Sequence, residues 1–260
     1  MGLLANPVLI KEVKTKLRGR QSPRSLAVVA GLMALFILWC YYHAIGWLFR
    51  FASPRTGEEG WQIGLVMQAI LIWALCPALT ANAISQEKEQ QTWEMLTFTL
   101  LTPAEILLGK LLARLIPLAA TVAAFAPFMA VCFSMSGLSY VYPLAAGLSL
   151  IIWMVFLATV GLFMSWAFHR TASAVAASYL VVFGLVIGTA LVELTLSMGG
   201  GDGDSFVLWL NPVRICAALL DIDRNPNAAG VILFSSFAFA GIAAFLLWRM
   251  VSRFRAFATK

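Results

Sequence analysis

Val141-Tyr-Pro-Leu-Ala-Ala-Gly-Leu-Ser-Leu-Ile-Ile-Trp-Met-Val-Phe-Leu-Ala-Thr-Val-Gly-Leu-Phe-Met-Ser-Trp-Ala-Phe168 contains no charged residue. Crossing about 30 Å of hydrocarbon takes roughly 20 helical residues at 1.5 Å each, so this run is long enough to span a bilayer. It also lacks the polar outer face that a helix on a soluble core would carry. Five comparable stretches accompany it, at 26–49, 61–84, within 104–135, at 172–198 and at 228–250. The stretch within 104–135 is too long for one perpendicular span, and its first turns hold Glu105, Lys110 and Arg114. It is expected to begin below the membrane surface and to bend near Pro117 or Pro127. The fold class read from this pattern is all-α: a polytopic membrane protein with six transmembrane helices.

Composition leads to the same reading. Of 260 residues, 61% are hydrophobic and 12% are charged, against about 25% charged in a soluble domain. Orientation follows from the basic residues. With the N-terminus inside, only Arg50, Arg55, Arg214 and Arg224 of the 18 Lys and Arg residues fall outside. That asymmetry predicts cytoplasmic N- and C-termini and a multi-pass protein of the inner (plasma) membrane. Residues 1–25 hold basic residues and no apolar core of a signal peptide, so no cleavable leader is expected. The net charge of +6 sits mostly at the two ends. It suits anionic lipid headgroups, not nucleic acid, because no folded basic domain is present.

Residues 1–25 read as an amphipathic interfacial helix. On a helical wheel Leu9, Ile10, Val13 and Leu17 share an arc of about 100°, with Lys11, Lys14 and Arg18 opposite. Residues 26–250 form the six-helix domain, with an inner loop at 85–110 and a long outer loop at 199–227. Residues 251–260 form a basic cytoplasmic tail. Within the outer loop, 206–210 and 213–220 are apolar enough for short interfacial or re-entrant helices, separated by Asn211-Pro212.

The inner loop is the most informative stretch: Ser85-Gln-Glu-Lys-Glu-Gln-Gln-Thr92-Trp93-Glu94, then Leu101-Thr102-Pro103-Ala104-Glu105. A helix continuing from the second span would place Trp93, Leu96 and Leu100 on one face. Thr102 is the predicted N-cap of the next helix, Pro103 its first residue, and Glu105 the partner that closes a capping box. The expected shape is a helix, a sharp turn and a new helix. Such a hairpin suits contact with a soluble partner, although a connector packed only on its own spans would look alike.

These residues resemble the permease subunits of ABC type-2 transporters. The resemblance rests on Asn6-Pro7 through Val13, on Glu87-Lys88-Glu89 with Thr92 to Leu96, on Leu101-Thr102-Pro103 with Glu105 to Lys110, and on the six-span pattern. Gln91 stands where the family carries Gly, and Leu96 to Pro103 is longer than its commonest spacing. The resemblance implies a homo- or heterodimer of permeases working with separate ABC-type ATP-binding subunits, which hold ATP and magnesium. It implies that 85–110 is a coupling loop, with Thr92, Glu94, Thr102, Pro103, Glu105 and Lys110 as coupling residues. The implied function is ATP-driven export. A non-transporting mechanotransmitter acting on a periplasmic partner is the alternative, followed by an intramembrane enzyme or an ATPase-independent channel or scaffold.

The chain itself is not expected to be an enzyme or to hold a cofactor. Its one Gly-Lys pair, Gly109-Lys110, has Ala104 where a P-loop needs Gly, and no Ser or Thr follows. Asp202 and Asp204 are too few for a calcium loop, and no metal site is expected. Glu193, an acidic residue deep in an apolar span, suits a substrate or ion path and a structural hydrogen bond equally well. Ser165 and His169 are four apart, but no orienting acid completes a triad, and an interfacial histidine is expected. Cys132 and Cys216 fall on the outer side, within reach of a disulfide in principle; their scattered spacing reads as buried free thiols.

Overall fold

The computed structural model describes residues 54–92, 102–198, 209–220 and 227–258, with positions 31, 34, 35, 38, 41, 42, 45 and 46. The N-terminal segment with Lys11, Lys14 and Arg18, the stretch 93–101 with Glu94, and 199–208 lie outside the described residues. All regular structure among the described residues is helical. The elements are α1 (Pro54–Thr80), α2 (Ser85–Glu89), α3 (Pro103–Ser136), α4 (Val141–Ala167), α5 (Thr171–Met198), α6 (Pro212–Leu220) and α7 (Ala228–Ala258). Five helical stretches among them are long and apolar enough to cross a membrane: Gly57–Glu89, Pro103–Ser136, Val141–Ala167, Thr171–Thr195 and Ala228–Arg253. The chain is therefore a helical, multi-pass membrane protein.

Helix α4 forms the centre, with α1, α3, α5, α6 and α7 all packed on it. Of its most apolar window 61% is buried, against 11% for α5, which keeps most of its surface outward. An aromatic layer fills the middle: Trp153 and Phe156 of α4 meet Phe239 of α7, with centroids 4.5 and 4.7 Å away. Apolar faces of this kind gain nothing from water exclusion inside a bilayer, so close packing must hold the helices together. Glycine supplies that closeness between α1 and α3. A Cβ on Gly57 would sit 2.6 to 2.9 Å from the backbone of Cys132, Met135 and Ser136, and one on Gly64 would sit 2.4 Å from Met129 Sδ. Farther along the same seam, Gln68 donates to the Val122 carbonyl at 3.2 Å.

The long third apolar stretch is one helix with Pro117 and Pro127 inside it. Two boundaries differ from the sequence reading. Helix α1 ends at Thr80, and after the turn at 81–84 the short α2 stops at Glu89, so the second span does not continue as a helix toward Trp93. The last helix runs on through Arg249 and Arg253 to Ala258, taking in most of the segment assigned to a tail. In the connection between α5 and α7, the helix α6 begins at Pro212 and packs back on the bundle through Ile215 and Leu219. Cys132 and Cys216 are free thiols, as is Cys76.

Among the described glycines, the closest approach joins α1 to α4. A Cβ on Gly161 would lie 1.9 Å from Thr80 Oγ1 and 3.0 Å from Thr80 Cβ, and the Thr80 hydroxyl is already bonded to the Cys76 carbonyl at 2.7 Å. Gly161→Ala is expected to lower stability by about 2 kcal/mol, the scale of an overpacked core. Gly147→Ala on the same helix, where nothing lies within 4 Å of the added carbon, is the matched control and should leave thermal unfolding in detergent unchanged.

Candidate functional site

Polar residues gather at one end of the bundle, where α1 ends, α2 turns, α3 and α5 begin and α4 stops. The geometry starts with the backbone. Residues 81–84 leave the helix, so the N–H groups of Ile84 and Ser85 have no regular ladder partner. Ser165, near the end of α4, accepts both of them on its hydroxyl oxygen at 2.8 Å each. The Ser85 hydroxyl donates to the Ala81 carbonyl at 2.9 Å. Both serines are fully buried. Helix α2 has no side-chain cap of its own; Ser165 supplies it from another helix.

Charges then tie α2 to its neighbours. Lys110 of α3, 1% exposed, donates to Glu87 Oε1 at 2.6 Å and to the Ala83 carbonyl at 3.1 Å. Glu89 accepts from the Thr171 backbone N–H at 2.7 Å and from the Thr171 hydroxyl at 3.0 Å. A carboxylate placed there serves as the N-cap of α5, where the helix dipole favours negative charge. Lys88 donates to the Trp166 carbonyl near the C-terminus of α4, the matching position for a cation. Helix α2 is thus bound to α3, α4 and α5 at once.

The start of α3 carries the expected capping box. The Glu105 N–H donates to Thr102 Oγ1 at 3.3 Å, and Glu105 Oε2 accepts from the Thr102 N–H at 2.9 Å. Pro103 occupies the first turn. Thr102 is exposed and caps the helix from outside the bundle.

Helix α2 ends in a tight reversal. The Thr92 N–H donates to the Glu87 carbonyl at 3.0 Å and the Gln91 N–H to the Lys88 carbonyl at 3.1 Å. This bond pair is the Schellman motif, which needs a left-handed residue between helix and exit. Gln91 fills that place with φ of 58° and is the one non-glycine residue with positive φ among the described residues.

Of the residues singled out from sequence, Thr92, Thr102, Pro103, Glu105 and Lys110 all fall at this polar end. Lys110 is buried there as a strut between α3 and α2. Glu193 lies elsewhere, half-buried near the far end of α5. His169 is exposed beyond the end of α4 while Ser165 is buried and occupied by backbone N–H groups, so the two form no catalytic pair. Sequence reasoning weighed Ser165 only as a partner for His169, and Glu87 and Glu89 only as part of the resemblance, and gave none of the three its contact at this end. A small polar residue at the end of an otherwise apolar span was the only signal for Ser165, and its partners lie about eighty residues away. No protein-family model matches this chain, and no curated protein matches it either.

Two outcomes test the geometry. Gln91→Gly should raise stability by about 1 kcal/mol, the cost of left-handed backbone for a residue with a Cβ, while Gln91→Val should lower it. For the ion pair, Glu87→Ala should cost about 3 kcal/mol, because it removes the countercharge of a buried ammonium. Lys110→Met should cost less, since the released Glu87, whose side chain is 25% exposed, can be rehydrated. Equal losses in thermal unfolding would contradict the assignment of Lys110 as the buried partner.

Proposed function

We propose that this chain is the transmembrane permease subunit of an ATP-driven exporter of the ABC type-2 class. In this reading it has six spans, with both termini in the cytoplasm of a cell whose inner (plasma) membrane it occupies. The polar end then faces the cytoplasm, and the missing motor is a separate ATP-binding subunit that carries ATP and magnesium. A second permease copy or homologue completes the pair.

The observation that carries the reading is the backbone at Gln91. The type-2 pattern has Gly at this position, and the chain adopts there the left-handed conformation that glycine tolerates best. The backbone at Gln91 is thus one that a glycine would suit. Two further features support it. The Thr102–Glu105 box fixes where the third span starts, and α2 is tied by hydrogen bonds and an ion pair to three helices, so that a push on it would reach α3, α4 and α5 together. A loop with no such ties would yield to a push without passing it on.

The test is capture. A photoreactive residue placed at position 90, 92 or 102 should crosslink, in native membranes, to a protein that contains a P-loop and binds ATP. In the reconstituted complex Glu105→Ala should cut substrate-stimulated ATP hydrolysis at least tenfold while the chain still inserts and keeps its partner. Crosslinks that reach only lipid or this chain itself would end the transporter reading. Capture of the ATPase with no transport of any compound, together with a bound periplasmic protein, would favour mechanotransmission instead.

A further inference from the structure

Two tyrosines, on helices far apart in sequence, make the same contact. Each donates its hydroxyl to the carbonyl three residues before a proline inside a neighbouring helix. Tyr179 of α5 donates to the Ala74 carbonyl of α1, ahead of Pro77. Tyr41, from the first apolar stretch, donates to the Ala124 carbonyl of α3 at 2.8 Å, ahead of Pro127. The Phe128 N–H in turn donates to the Tyr41 hydroxyl at 3.1 Å, so this oxygen bridges the two groups whose direct bond would span Pro127. Proline deletes one ladder bond and crowds the turn before it. The bond spanning the proline is the next to loosen, and in hydrocarbon only a protein group can take up what it leaves.

We propose that Tyr179 and Tyr41 are latches on two proline hinges, one next to each end of the bundle. Pro77 stands between the body of α1 and the polar block of α2. Pro127 stands between the body of α3 and its last turns, which pack on Gly57. With the hydroxyl in place each helix is stiff through the break. Without it the end segment bends on its own: 78–92 beyond Pro77, and 128–136 beyond Pro127. The inference stands on these hydrogen bonds alone and does not depend on the transporter reading.

The rings contribute packing besides the hydroxyl, as in the edge-to-face contact of Tyr41 with Phe128 at 5.9 Å. Removing only the oxygen is therefore the informative change. Hydrogen exchange would be followed on the full chain in lipid nanodiscs for Tyr41→Phe and Tyr179→Phe, each alone and combined with Pro127→Ala or Pro77→Ala. Tyr41→Phe should speed exchange at least tenfold within 128–136 and leave 104–122 unchanged. Tyr179→Phe should do the same within 78–92 and spare 58–73. Both effects should vanish once the matching proline is alanine, because a regular ladder needs no latch. A rise spread over the whole helix, or one of equal size in the Pro→Ala background, would mean a packing staple and overturn the hinge. No rise would overturn it too. Should a tyrosine variant fail to fold, its pairing with the matching Pro→Ala change still decides: restoring the ladder must restore the fold and wild-type exchange in the end segment, and a double variant that also fails to fold would defeat the proposal.

Discussion

Hydrocarbon offers a peptide group nothing to bond with, and each N–H or C=O left open there costs several kcal/mol. A regular helix meets this constraint by itself. This chain interrupts its apolar helices at 81–84 and at prolines inside α1 and α3, so every break needs a partner from elsewhere in the fold. The turn at 81–84 is the clearest case. Gly161 lets the end of α1 come within contact of α4, and Ser165, one turn later on the same face, accepts the two N–H groups that the turn exposes. Approach and hydrogen bond depend on each other. A side chain at 161 would hold the serine away from its donors, and a residue without an acceptor at 165 would leave the close approach unrewarded.

The charged groups of the polar end build on that junction. Five residues of α2 are far too few to be helical alone, since a nucleus of one turn is unfavourable in isolation. Its order comes from outside: the Ser165 cap, the Lys110–Glu87 pair, the Glu89 clasp on Thr171 and the Lys88 contact with the end of α4. A buried ion pair adds little net stability over apolar packing, because desolvation offsets attraction. Its value is positional. Lys110 has few places to go, and it fixes the register of α3 against α2.

Legibility in the sequence followed the range of the interaction. The helical class and the membrane-crossing lengths came from composition along single segments. The start of α3 was readable at Thr102, Pro103 and Glu105 because a capping box is written within four residues. The end of α2 was misread, since Glu, Lys and Gln favour helix through 94 and nothing local announces that Gln91 turns left-handed. The Schellman bonds from Thr92 and Gln91, made within a helix that other spans hold in place, overrule that propensity. Lys110 stands out as a motif residue, yet its burial is invisible in the sequence, as is the capping role of Ser165, because both depend on pairings between distant helices. The tyrosine contacts were beyond reach for the same reason: Tyr41 and Ala124 are 83 residues apart.

The position of each break decides which parts can move as units. Above Pro77, α1 is fixed to α3 by glycine contacts at Gly57 and Gly64 and by the Gln68 bond. Below it, α2 is fixed to α3, α4 and α5 by hydrogen bonds and an ion pair. Displacing the polar block relative to the body of α1 must therefore strain one set of contacts or be absorbed between them. The contacts on either side are numerous and partly buried, whereas the backbone around Pro77 has lost a ladder bond and keeps one tyrosine hydroxyl in exchange. The weakest element in series takes the deformation, and here it lies at residues 74–78. A force arriving at the polar end would thus be felt first at Tyr179, and so by α5, the least buried of the membrane-length helices among the described residues.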